Sequence, residues 1–94
     1  MRRVVRTFRI QPGSGLHARP ATILAKVAER FQSKITVRKD NDIVNAKSVL
    51  GLMTLAAGPS EELILTAEGP DAELALDRLG RLILSNFEDG NGRS

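Results

Sequence analysis

With 94 residues, 41% of them apolar and 27% charged, the chain has the composition of one small globular domain with room for a single two-layer core. It has no cysteine, which excludes disulfides, thiolate zinc sites and thiol redox chemistry and accords with a reducing, cytoplasmic setting. The net charge of +3 is unevenly spread: residues 1–39 hold ten basic groups and one acid, Glu29, an imbalance that points to an acidic partner surface or a phosphate-bearing ligand.

Val4 to Ile10 alternates, with Val4, Phe8 and Ile10 on one face, and predicts a strand. The basic start (Arg2, Arg3, with Arg6 inside the strand) leads into this alternation and not into an apolar run of roughly 7–15 residues, so no secretory signal is expected. Gln11–Gly15 is a loop with breakers at Pro12, Gly13 and Gly15. A helix follows from about Ala18 to Phe31, with apolar residues at Ile23, Leu24, Val27, Ala28 and Phe31. Lys34 to Lys39 alternates again with Ile35 and Val37 inward, and Asp40-Asn41 turns it into Ile43–Lys47 as a hairpin. Ser48 is the expected N-cap of a short, nearly all-apolar helix, Val49 to Leu55, which Gly58-Pro59 ends. Leu63, Leu65 and Ala67 mark a fourth strand. A last helix, about Asp71 to Ser85, carries Ala72, Ala75, Leu76, Leu79, Leu82 and Ile83 on one stripe. Gly80 inside it should cost about 1 kcal/mol relative to alanine.

The order βαββαβα, with strands that are apolar on one face, predicts an α+β fold: a four-stranded antiparallel sheet with helices packed on one face. One domain spans residues 1–94, with a core of about 4–85 and a flexible tail over 86–94. No segment approaches the roughly 18 apolar residues of a membrane span, so no membrane insertion is expected. Three Phe and no Tyr or Trp leave almost no platform for base stacking, so nucleic acid is not the expected partner.

The chain's one histidine, His17, falls at or beside the N-cap of the first helix, in the run Gly15-Leu16-His17-Ala18-Arg19-Pro20-Ala21. Proline is tolerated in a first helical turn because its missing amide would have had no intrahelical partner. The backbone amides of Ala18 and Arg19 point out of the helix end, where the macrodipole favours an anion. Imidazole, guanidinium and amides thus meet at one point, an arrangement suited to a nucleophile that accepts a phosphoryl group and holds it briefly. A histidine side chain in water titrates near ~6.5, so neutral imidazole is available at pH 7. Other chemistries lack their parts. One His without Cys cannot furnish a zinc set, so no metal is expected. There is no G-x-S-x-G elbow and no Walker-type loop, so neither a serine nucleophile nor a bound nucleotide cofactor is expected.

Arg19, Lys26 and Arg30 share the solvent side of the first helix. With Lys47 they are placed to rim an apolar patch of Val49, Leu50 and Met53. That run is either core or docking surface. It exceeds what one buried face of a short helix needs, so part of it is expected at the surface.

The run from Gly15 to Ala21 resembles the active-site signature of HPr, the histidine-containing phosphocarrier family of the bacterial phosphoenolpyruvate-dependent sugar phosphotransferase system. A second segment, Asn45-Ala46-Lys47-Ser48-Val49-Leu50-Gly51-Leu52-Met53, resembles the family's regulatory-serine segment. The resemblance covers about residues 4 to 85. It implies an open-faced β-sandwich and a protein that carries a phosphoryl group without being an enzyme. By this resemblance His17 is phosphorylated on Nδ1, Arg19 neutralises the phosphate, and Ser48 is a regulatory phosphorylation site. The implied partners are enzyme I as donor and enzyme IIA proteins as acceptors, with HPr kinase/phosphorylase and a transcriptional regulator in some relatives. Two alternatives stay open: a regulatory module acting through Ser48 as a transcription co-regulator, and a carrier in a nitrogen-branch phosphorelay. The arginine-rich start is unusual for the family and reflects either partner preference or solubility.

Overall fold

A computed structural model of the protein describes residues 2–12 and 16–87. Along the chain run β1 (Arg3–Arg9), α1 (Ala18–Ala28), β2 (Lys34–Lys39), β3 (Asp42–Asn45), α2 (Val49–Thr54), β4 (Glu62–Glu68) and α3 (Ala72–Leu84). The strands pair antiparallel throughout, in the order β1-β4-β2-β3. Only β2 and β3 join by a tight turn, where Asp40 takes φ 55°. Asp tolerates this left-handed conformation better than most residues with a Cβ.

Register puts every second residue on the helix side. In one row Arg6, Leu65, Val37 and Val44 are neighbours, and in the next Phe8 lies beside Leu63. The buried stripe of α1 (Ala21, Leu24, Ala25, Val27, Ala28) and that of α3 (Ala72, Ala75, Leu76, Leu79, Leu82, Ile83) close over these rows. Each fully buried Leu or Ile side chain there contributes about 1.5–3 kcal/mol. Among the described residues no helix packs on the opposite face of the sheet, where Val5 and Ile43 are exposed. The architecture is the expected open-faced sandwich.

Several boundaries differ from the sequence reading. α1 stops at Ala28, because Arg30 and Phe31 donate to the carbonyls of Val27 and Ala28 in tighter three-residue steps, both 3.1 Å. Phe31 nonetheless packs against the core. Gly58-Pro59 is not what ends α2. The helix closes at Thr54, and the chain reverses at Ala56, φ 52°. Asn86 and Phe87, read as tail, instead close α3. Asn86 takes φ 62°, its N–H donates to Ile83 O at 3.3 Å, and Phe87 N–H donates to Leu82 O at 2.6 Å. This is the Schellman pattern, and it folds Phe87 into the core. The rest of the expected tail, residues 88–94, lies outside the described residues.

Gly80 has a packing reason. An added Cβ would stand 2.3 Å from Phe8 Cζ, so the ring of β1 crosses α3 where the helix has no side chain. Among the described residues no helix is long and apolar enough to cross a membrane.

Candidate phosphoryl-transfer site

His17 is the N-cap of α1, with extended backbone (φ −90°, ψ −165°), and its carbonyl accepts the Ala21 N–H at 2.9 Å. N-cap side chains commonly bond the first-turn amides. The exposed His17 imidazole makes no such bond, so the helix does not consume its nitrogens. Ala18 and Arg19 are the first two helical residues, both exposed, and Pro20 is the third, where an absent N–H leaves no gap in the helix ladder. The Thr22 hydroxyl donates to Ala18 O at 2.7 Å, fastening this first turn from within. The imidazole, the Arg19 side chain and the first-turn amides therefore share the positive end of one helix.

Ser48 is the N-cap of α2, and its Oγ accepts the Gly51 N–H at 3.0 Å. α2 packs against α1, so both N-capped helices lie in one layer. Leu50 is 75% exposed and Met53 39%, whereas Val49 turns inward and packs against the core. Lys26 and Arg30 are exposed on α1. Lys47 is half-buried, and its Nζ donates to Phe31 O at 2.8 Å, which ties the start of α2 to the end of α1.

The arginine-rich start has a different place in the molecule from α1. Arg2 pairs with Glu73 at 3.0 Å, Arg3 with Glu68 at 3.2 Å, Arg9 with Glu62 at 2.7 Å, and Arg6 with Asp77 and Glu73. These basic groups of the first half are matched by acids of the second half.

What the sequence reading passed over is the segment on which the flanks of His17 rest. Ile10 N–H donates to Glu61 O and Ser60 N–H to Ile10 O, both at 2.9 Å, while Leu16 N–H donates to Ala57 O at 3.0 Å. Residues 55–61 read only as a breaker, because Gly58-Pro59 announces a turn but not what the turn holds.

Residues 4–85 match the family model described as "PTS HPr component phosphorylation site". The chain is also 46% identical over 86 residues to the phosphocarrier protein HPr of Treponema pallidum, covering 92% of this chain and 98% of that one. The chain belongs to the HPr family. A second relative is the multiphosphoryl transfer protein of Vibrio cholerae, 44% identical over 87 residues, in which the match takes up 89% of this chain but 22% of the relative. Among solved structures, HPr-C-His from Thermoanaerobacter tengcongensis superposes with a TM-score of 0.83 at 45% identity, covering 93% of this chain and 96% of that one. HPr proteins are phosphocarriers of the phosphotransferase system, and the likeness extends over the whole sheet-and-helix architecture described above.

Proposed function

We propose that this HPr-family chain accepts a phosphoryl group on His17 from phospho-enzyme I and passes it to enzyme IIA proteins in the cytoplasm. The observation that carries the reading is an exposed imidazole at a helix N-terminus with no capping bond to occupy it. In the step, the Nδ1 lone pair forms a bond to phosphorus as the donor's bond to phosphorus breaks. The amides of Ala18 and Arg19 and the Arg19 guanidinium face the phosphoryl oxygens, where charge-assisted hydrogen bonds are shortest and strongest. The product is a reactive phosphoimidazole, so the group can leave again for the acceptor. An exposed helix end admits two protein partners in turn, which a deep pocket would not.

Exposed Leu50 and Met53 on α2, with exposed Lys26 and Arg30 on the neighbouring α1 segment, are the docking surface in this proposal, and Ser48 is its regulatory phosphorylation site. Lys47 contributes by tying the start of α2 to Phe31 just past α1, while Val49 is turned inward against the core. The multiphosphoryl transfer relative, which joins an HPr-like part to a longer chain, supports partners from the same system. Incubation with enzyme I and labelled phosphoenolpyruvate should place an acid-labile, base-stable label on this protein, and His17→Ala should abolish it. A label retained in His17→Ala overturns the assignment.

A further inference from the structure

Lys39, the last residue of β2, has a side chain only 20% exposed. Its Nζ donates to Leu55 O at 3.2 Å and Ala56 O at 3.4 Å, and pairs with Glu61 Oε1 at 3.3 Å. A lysine ammonium has three N–H donors and meets three acceptors here. The same Glu61 oxygen accepts the Gly58 N–H at 2.7 Å, so a single ion pair closes the 55–61 segment across its mouth. The Gly58 amide and then the Lys39 ammonium hold the Glu61 carboxyl below the usual carboxylate range. Within this segment Ala56 has φ 52° and Ser60 φ 66°, left-handed conformations that residues with a Cβ keep only where their surroundings enforce them.

That segment is also where the chain before His17 is anchored. Ile10 exchanges two backbone bonds with Ser60 and Glu61, and Leu16 donates to Ala57, the residue after the two carbonyls that Lys39 holds. Leu16 and Ala57 are both buried, each 4% exposed, so water does not substitute readily for this bond. His17 is the next residue after Leu16.

We infer that Lys39 is a positioning residue for His17, acting through the Leu55–Glu61 segment to fix the Leu16 anchor and with it the direction of the imidazole. The inference rests on the phosphoryl-carrier reading for its consequence in transfer, but not for its structural content. Lys39 lies on the sheet side of the segment and has no part in the proposed docking surface. Its removal should therefore alter the transfer step and leave partner affinity alone.

The test replaces Lys39 with Met, which keeps the length and loses the three donors, and separately makes Glu61→Gln. In Lys39→Met, exchange of the Leu16 amide should rise about tenfold relative to the amides of β4, because the opening is local. The His17 ring resonances should shift, and kcat for transfer from phospho-enzyme I should fall about tenfold with KM unchanged. Glu61→Gln should change the same readouts in the same direction by a smaller factor, and it decides the matter should Lys39→Met fail to fold. Wild-type Leu16 exchange and wild-type His17 resonances in the folded variants overturn the inference, as does a rise in exchange shared equally by β4. A wild-type protein that takes no label would overturn the carrier reading, while the exchange and resonance measurements still decide the role of Lys39.

Discussion

Asp71 stands at the N-cap of α3 and makes no capping bond. Its carboxylate instead accepts the Gln32 and Ser33 N–H groups, each at 2.9 Å, together with the Ser33 hydroxyl. Ser33 is the buried polar residue among the core side chains, 1% exposed, so this carboxylate satisfies a group that would otherwise be costly to bury. The Ser33 hydroxyl, followed by the Gln32 amide, holds the Asp71 carboxyl below its ordinary range. A folded-state pKa below the unfolded one makes the contribution complete above the ordinary value of ~3.9, and it is lost as pH falls through the lowered one. Asp71→Ala should lower the melting midpoint at pH 7 by on the order of 5 °C. The gap between the two proteins should narrow below pH ~4. Melts from pH 7 to pH 2 check this, and a gap independent of pH would show that the charge of Asp71 is not what its donors hold. The sequence marked Asp71 only as the approximate start of the last helix. Its partners lie across the fold on the α1–β2 connection, and nothing local points to them. The N-cap position of His17 was legible for the opposite reason: the first-turn proline and the helix that follows are its immediate neighbours.

Among the elements, α3 shows most directly how a local rule yields to packing. Glycine is about 1 kcal/mol worse than alanine in a helix interior, yet Gly80 sits there beneath Phe8. Gly80→Ala gains that propensity but places a methyl inside contact distance of the ring, and crowding of this kind costs about 1–3 kcal/mol. The ring has a partial escape, an open groove of about 500 Å³ lined by Phe8, Leu76, Gly80 and Leu84. The net change should be a destabilisation of about 1 kcal/mol. In a Phe8→Leu background the same substitution should become neutral or stabilising, because the clash is gone and the propensity remains. Denaturant titrations of the four proteins in this cycle measure the coupling, and additive effects would mean that Phe8 is not the reason for the glycine. The elements themselves were legible because their apolar periods are clean: β4 alternates as Leu63, Leu65, Ala67, and α3 repeats its buried stripe over thirteen residues. Their ends were less so. The close of α3 depends on Asn86 adopting a left-handed turn that swings Phe87 into the core, and a polar, glycine-rich stretch gives no sign of it.

Across the whole molecule, folding redistributes the charge that composition shows as a basic first half. β1 lies beside β4 and against α3, so Arg2, Arg3, Arg6 and Arg9 meet Glu62, Glu68, Glu73 and Asp77. Such exposed pairs contribute little to stability, about 0–1 kcal/mol each, but they cancel the field of β1 at a distance. The outward side of α1 presents Lys26 and Arg30 as exposed basic groups, and α2, which packs against α1, exposes Leu50 and Met53. Sequence alone could not make this distinction, because the compensating acids are brought to β1 only by the β1–β4 pairing. On the proposed docking surface, the charges of Lys26 and Arg30 would steer an acidic partner to the helix layer beside Ser48. Aspartate at position 48 should keep the α2 cap, since its carboxylate can accept the Gly51 N–H that Ser48 Oγ accepts at 3.0 Å. The melting temperature of Ser48→Asp should accordingly stay close to that of the wild type. The added negative charge stands at the edge of the Leu50–Met53 surface, where it opposes an acidic partner drawn by α1. The dissociation constant for enzyme I should rise about tenfold at low salt, and by less at 0.5 M salt, where the Debye length is only about 4 Å. Calorimetric titration at the two salt concentrations separates the charge effect from a loss of fit: a rise that salt does not diminish would assign it to shape, and an unchanged constant at low salt would place the docking surface away from α2.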